Sequence, residues 1–256
     1  LIPADGLSAS RGCKDASIVL ASKRILIVGI GGLGVPAACA LVRAGFADLG
    51  LLDPDLIDLS NLPRQIIFGE SDIGAPKVMA AARYLTAVLP ALKIESMAKS
   101  LDATNAAEII ARFDFVIDAT DSPAIKFLIN DVCVDLGVPF VYGGVLGLAG
   151  QAMTVLPGTT ACLRCLFEEP PAEADIASCR EAGIIGPVAG AIGAAQAAEA
   201  LSFMSGRMPA LAGTMLTLDG SQSGRIRLTP IAVRIGCRCG AAESNAAAGA
   251  AAAPAR

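Results

Sequence analysis

Cys162-Leu163-Arg164-Cys165 and Cys237-Arg238-Cys239 place two pairs of soft ligands far apart in one chain. Four thiolates can close a tetrahedral structural zinc site. The rival is a redox role for the C-x-x-C pair, but a redox pair ordinarily opens a helix after a strand and this one is expected in a loop. The second pair is C-x-C, shorter than the usual knuckle spacing. Another thiol, Cys179, stands beside Arg180 in the polar stretch 167–181. A cation next to an exposed thiol favours the thiolate, which makes Cys179 a candidate nucleophile; the plainer reading is an idle loop cysteine. The sequence contains no His, which excludes imidazole acid–base chemistry and imidazole metal ligation. Chemistry therefore falls to Cys, Asp, Lys and Arg.

Oxygen and nitrogen groups form a second constellation. Gly29-Ile30-Gly31-Gly32-Leu33-Gly34 follows the apolar run 25–28 and precedes an alanine-rich segment. Strand, glycine turn and helix N-terminus in that order make an anion site, because backbone N–H groups can approach a phosphate and the helix dipole favours its charge. Loops of this kind also serve NAD and FAD, so the turn alone does not name the ligand. Asp53 lies 24 residues after Gly29, where an acidic residue grips a ribose hydroxyl in nucleotide folds. The turn-rich stretch 56–77 holds Asn61, Arg64, Gln65 and Lys77, donors suited to phosphate oxygens or, more plainly, side chains of a solvated connector. Thr120-Asp121 ends a strand at the sheet edge where such folds bind ligands. Asp121 is placed there to hold Mg²⁺ on a triphosphate, or else to cap the next helix.

The elements that must position these groups alternate strand and helix. Strands are expected over 24–28, 48–52, 92–97, 113–119, 139–143 and 151–156, with a late hairpin over 215–219 and 225–228. The first helix ends at a Gly45 cap. Others span 77–89 with Pro76 in the first turn, 104–112 with Thr104 as N-cap, 122–136 and 183–205. This pattern predicts an α/β protein: a Rossmann-like, mostly parallel sheet with helices on both faces, and a C-terminal antiparallel extension carrying the four-cysteine zinc site. One unit is expected over 23–240, after a weakly patterned segment 1–22 and before a disordered, alanine-rich tail 241–256. The uncharged stretch 137–163 is broken by Gly and Pro and reads as buried strands and loops. The segment 184–198, with Gln196 and Glu199 at its end, reads as a Gly/Ala helix rather than a membrane span. Cys39 and Cys133 read as core residues and Cys13 as a bystander. A hydrophobic share of 54% argues against disorder, and a net charge of −4 without a basic run argues against nucleic-acid and anionic-membrane partners. No secretory signal opens residues 1–10, so a cytoplasmic protein is expected.

Taken in order, GIGGLG, Leu52-Asp53-Pro54-Asp55, Ser60-Asn61-Leu62-Pro63-Arg64-Gln65, Pro76-Lys77, Asp118-Ala119-Thr120-Asp121, the CLRC knuckle and Ser178-Cys179-Arg180-Glu181-Ala182-Gly183 resemble the ThiF/MoeB/HesA family, bacterial relatives of the ubiquitin-activating enzymes. The resemblance runs from about Arg24 to Gly240. It implies an ATP-dependent adenylyltransferase acting on the C-terminal Gly-Gly of a small ubiquitin-like sulfur carrier, with a homodimer as the assembly; no rhodanese-like sulfur-transfer domain follows, so sulfur is expected to arrive from a separate donor protein. It also implies that Gly29, Gly31, Gly32, Gly34, Asp53, Asp55, Ser60, Asn61, Arg64, Gln65, Lys77, Asp121 and Ser122 line ATP. Arg64, Lys77, Asp121 and Cys179 would carry the chemistry, with Mg²⁺ on Asp121 and zinc on Cys162, Cys165, Cys237 and Cys239. The family's R-x-x-R-Q stretch upstream of the glycine turn has no counterpart, since only Arg11 and Arg24 precede Gly29, and the family's Asn after the Mg²⁺ aspartate is Ser122 here. Two other readings stand beside this one: a non-catalytic scaffold subunit of the same fold, and a nicotinamide-dependent oxidoreductase, which leaves the 61–77 cluster and the cysteine pairs without a task.

Overall fold

The computed structural model describes residues 23–170, 185–222 and 224–240. The segment 1–22 with Cys13, the Cys179 loop and the tail 241–256 lie outside the described residues.

Eight strands form one sheet in the order β3-β2-β1-β4-β5-β6-β7-β8. The strands are β1 (Ile25–Val28), β2 (Asp48–Leu52), β3 (Lys93–Met97), β4 (Phe115–Asp118), β5 (Phe140–Leu146), β6 (Ala149–Val155), β7 (Thr214–Asp219) and β8 (Arg225–Pro230). From β3 to β5 the pairing is parallel, and from β5 to β8 it is antiparallel. The strand order reverses beside β1, where chain connections leave in opposite directions toward β2 and β4. At such a switch point a crevice opens outside the carboxyl ends of the strands.

Both faces of the parallel half are covered, which explains why its strands read as unbroken apolar runs. Ile25 and Ile27 enter a core shared with α1 (Gly34–Arg43), α2 (Lys77–Val88) and α6 (Gly186–Met204), whereas Leu26 and Val28 enter one shared with α3 (Ala106–Ile110) and α4 (Pro123–Leu136). Helix α1 ends as its sequence predicts. Gly45 takes φ +88°, its N–H donates to Val42 O and that of Phe46 to Leu41 O, the paired bonds of a left-handed C-terminal cap. The antiparallel half begins earlier than the late hairpin, because β5 and β6 already pair antiparallel.

Other expectations shift by a residue or change in kind. Thr104 does not cap α3: its hydroxyl donates to Asp102 Oδ1, and the helix starts after Asn105. Pro76 stands at the N-cap position of α2 rather than inside its first turn. Cys133 is fully buried, whereas Cys39 is only half-buried against the core. Gln196 and Glu199 are not at the end of the Gly/Ala helix but buried within the 19 residues of α6. Glu199 accepts from Thr154 Oγ1 and from the N–H groups of Ala210 and Leu211. No described helix is long and apolar enough to cross a membrane.

The small residues of α6 bring it onto α1. A Cβ on Gly193 would lie 2.3 Å from Leu33 O and 2.9 Å from Pro36 Cγ, so the contact exists because that position is bare. The close approach that a Gly/Ala helix permits is thus used within this chain. Gly193→Val should force the two helices apart and lower stability by about 1–3 kcal/mol, read as a shift in the denaturation midpoint.

Candidate active site

The turn after β1 is cut to backbone dimensions. Gly29 takes φ +92°, and a Cβ there would lie 2.7 Å from Ala119 O at the end of β4. A Cβ on Gly34 would lie 1.9 Å from Gly29 O, so the first turn of α1 closes directly over the end of the strand. The Gly29 N–H donates to Leu52 O at 2.8 Å, which ties the turn to β2.

Asp53, next after β2, is 5% exposed, and its Oδ2 accepts from the Ile30 N–H at 2.6 Å. Its Oδ1 accepts from the Asp55 N–H at 2.8 Å. Burial raises the Asp53 carboxyl; the Lys77 charge and these two backbone bonds oppose that, and the net shift is upward from 3.8. Lys77 reaches this point because the chain from 56 to 76 returns on itself: Leu56 pairs with Pro76, and the Lys77 N–H donates to Asp55 O. The buried Lys77 ammonium lies 2.6 Å from Asp55 Oδ2 and 4.0 Å from Asp53 Oδ1. It already holds a carboxylate, and an ammonium has three donors, so further acceptors can be served.

The stretch 56–77 is no loose connector. Asp58 Oδ1 accepts from the Ser60 N–H, and Asn61 Oδ1 accepts from the Asp58 N–H, closing the turn Leu59–Asn61. Asn61 is buried and its oxygen is spent on this turn, whereas Ser60 is exposed. The Arg64 and Gln65 N–H groups both donate to Asn61 O, which returns these side chains to the glycine turn. Arg64 Cδ and Cγ lie 3.6 and 3.7 Å from where a Gly32 Cβ would stand, and Gln65 Nε2 lies 3.9 Å from the same point on Gly31. Arg64 Nη1 donates to Ser60 O at 2.8 Å. Gln65 is 2% exposed, and among the described residues nothing donates to its Oε1. The N-terminus of α6 completes this wall, since a Cβ on Gly186 would meet Pro63 O at 3.2 Å.

Across the switch point, β4 delivers Asp121. Parallel pairing sets Val28 level with Asp118, so Gly29 and Ala119 leave the sheet side by side. The helix-cap reading of Asp121 fails, because the cap of α4 is Ser122, whose Oγ accepts from the Ile125 N–H. Asp121 is exposed, and no hydrogen bond or ion pair among the described residues engages its carboxylate. Beside it lies a polar cluster that sequence reading passed over. Asp118 is fully buried and both its oxygens lie 3.1 Å from Lys126 Nζ, which also donates to Gly143 O at 2.5 Å. Gln196 Nε2 donates to Asp118 O at 2.7 Å. The signal was a charge ending the buried run FVID, with a lysine eight residues on.

The four cysteines meet beside the second half of α4. Their sulfurs all lie within 4.8 Å of one another, with Cys162–Cys237 at 3.6 Å, Cys165–Cys239 at 3.4 Å and Cys237–Cys239 at 3.5 Å. These separations exceed a disulfide and approach the ~3.8 Å edge of a tetrahedron with ~2.3 Å zinc–sulfur bonds. The shortened C-x-C pair therefore still brings both of its sulfurs into the cluster. Contrary to expectation, the C-x-x-C pair does open a helix, the single turn α5 (Leu163–Leu166). Four converging thiols, not two, set it apart from a redox pair. Burial, with hydrogen bonding to Cys237, raises the Cys162 thiol to about 11. The knuckle is fastened to α4: Arg164 donates to both Asp131 oxygens at 2.7 Å, and the Leu163 N–H donates to Asn130 Oδ1.

The sequence pattern of the ThiF family matches residues 9–239. The chain belongs to the ThiF family. Within that family, the sulfur carrier protein adenylyltransferase of Thermus thermophilus is 36% identical over 244 residues, covering 93% of this chain and 86% of that protein. The adenylyltransferase and sulfurtransferase MOCS3 of Arabidopsis thaliana is 38% identical over 212 residues, covering 83% of this chain. The chain spans about half the length of several such relatives, 46% in the Arabidopsis case. Among solved structures, E. coli MccB with ATP shares the fold at a TM-score of 0.78 and 20% identity, with 88% of this chain and 69% of that one covered.

The raised Asp53 carboxyl has a sign that can be measured. A folded value above 3.8 means the native state holds that proton more tightly than the unfolded chain. Its contribution is present at low pH and lost as pH rises through the folded value. Asp53→Asn should abolish this downward slope, seen by subtracting the variant's stability–pH curve from that of the parent.

Proposed function

We propose that this chain uses ATP to adenylate the C-terminal Gly-Gly carboxylate of a small ubiquitin-like sulfur carrier, releasing pyrophosphate. The observation that carries this reading is the return of Arg64, Gln65 and Lys77 to the glycine turn and Asp53 at the switch point of the sheet. The names of the Thermus and Arabidopsis relatives support the reaction class. The carrier's carboxylate oxygen bonds to the α-phosphorus, the bond from that phosphorus to the bridging oxygen breaks, and the electron pair leaves with pyrophosphate. Nucleophile and triphosphate are both anionic, so cationic and N–H donors must offset their repulsion. We assign Arg64 and Lys77 to that task, the glycine turn to the phosphates and Asp53 to the ribose. No general base is needed, because the attacking carboxylate is ionised at neutral pH. A chain without histidine can therefore run the reaction.

An exposed carboxylate that no described residue engages fits a hard cation, and we assign Mg²⁺ to Asp121, where it would add positive charge over the phosphate oxygens. Four clustered thiols fit zinc, and we assign a structural zinc to Cys162, Cys165, Cys237 and Cys239. Cys179 is our candidate thiol for accepting the activated carrier. A homodimer and a cytoplasmic setting complete the reading.

Carrier-dependent ATP–pyrophosphate exchange tests it. Exchange should require an intact Gly-Gly terminus and should fall by about 10²-fold or more in Arg64→Ala and Asp121→Ala. ATP binding without exchange against any carrier would instead fit a non-catalytic scaffold. Elemental analysis should find one zinc per chain, lost with Cys162→Ser; folded, zinc-free parent protein would refute the metal assignment.

A further inference from the structure

We propose that Asp118, acting through Thr120, is the positioning residue that aims Asp121, and that Lys126 holds the Asp118 carboxylate in place for this purpose. The inference rests on the nucleotide reading above and assigns the support of its metal-binding carboxylate. Strand alternation turns Asp118 onto the α4 side of the sheet, where it is fully buried. One of its oxygens, Oδ1, accepts from the Thr120 N–H at 3.1 Å and from Thr120 Oγ1 at 2.7 Å. A carboxylate that binds the backbone two residues on bends the chain out of the strand direction. Two residues beyond Thr120, Ser122 begins α4 and fixes the chain again through its bond from the Ile125 N–H. Asp121 is therefore held between two local clamps. Among the described residues, Asp118, Thr120 and Ser122 each spend their side chains on local hydrogen bonds, and none of these engages the Asp121 carboxylate.

The Lys126 ammonium faces both Asp118 oxygens at 3.1 Å, donates to Gly143 O at 2.5 Å and lies 5.0 Å from the Tyr142 ring centroid. It thus joins the end of β4, the first turn of α4 and the middle of β5. Two buried charges are a poor device for stability alone, because an apolar pair would fill the space without the desolvation penalty. What the pair adds is direction. An ionised carboxylate can accept from the Thr120 N–H, the Thr120 hydroxyl and an ammonium at once, which no apolar side chain can do.

Calorimetric titration of the full chain with ATP, once with Mg²⁺ and once with EDTA, tests the assignment. In the parent protein Mg²⁺ should tighten ATP binding, and Asp121→Ala should remove that gain. Thr120→Val, which keeps the shape and deletes the hydroxyl, should cut the gain roughly fivefold, about one hydrogen bond's worth, while the protein stays folded and metal-free ATP affinity stays at the parent value. Asp118→Asn should do the same or more, and Lys126→Arg should retain the gain because it keeps the charge. If Asp118→Asn fails to fold, Thr120→Val carries the test. Equal losses with and without Mg²⁺, or a parent-like gain in Thr120→Val, would overturn the positioning role and leave the nucleotide reading standing. A parent protein that binds no ATP under either condition would overturn both.

Discussion

No atom larger than hydrogen fits beside Cα at Gly29 or Gly34, and the rest of the site depends on that constraint. A methyl group at Gly34 would sit inside the carbonyl of Gly29, and one at Gly29 would strike the end of β4. Because both positions are bare, α1 can start at the strand end, Ile30 can give its N–H to Asp53, and the chains leaving β1 and β4 can run side by side. The crevice is thus defined by backbone, and side chains are added at its rim. Arg64 and Gln65 lean on the same turn from the connector, and α6 closes it from behind through Gly186 and Gly193.

Much of this architecture was legible in the residues. Runs such as ILIV and FVID carry no alternation, so they belong to strands covered on both faces, and a glycine turn followed by alanines specifies the helix that covers them. The return of the connector was legible only by resemblance, because Asn61, Arg64 and Lys77 taken singly are ordinary surface residues. What converts them into a site is the bridge between Leu56 and Pro76, a pairing across a stretch with no strand signal. The buried charges were harder still. Lys126 sits in a helix at a position that a propensity reading leaves to solvent, and its partner precedes the turn into that helix. Gln196 and Glu199 look like breaks in a small-residue helix, yet each satisfies backbone groups on a neighbouring element. Thr104 failed as a cap for a related reason: Asp102, two residues earlier, already organises that turn and takes the hydroxyl.

The two halves of the sheet are built for different tasks. The parallel half gathers strand ends at one edge, as nucleotide folds do, and the antiparallel half widens the platform without adding further βα turns to that edge. Its outer strand β8 is exposed along its whole length, and the polypeptide after it turns back to bring Cys237 and Cys239 against the CLRC turn. Those cysteines enter the same apolar layer as α3 and α4. The knuckle therefore extends a core face and is not an appendage.

Helix α4 links the two chemistries mechanically. Its N-terminal cap adjoins Asp121, and Asn130 and Asp131 in its second half grip the cysteine knuckle. Fourteen residues of helix make a strut of about 20 Å, and a strut transmits tilt from one end to the other instead of absorbing it. The sulfur cluster and the carboxylate at the crevice therefore share a single orientational coordinate.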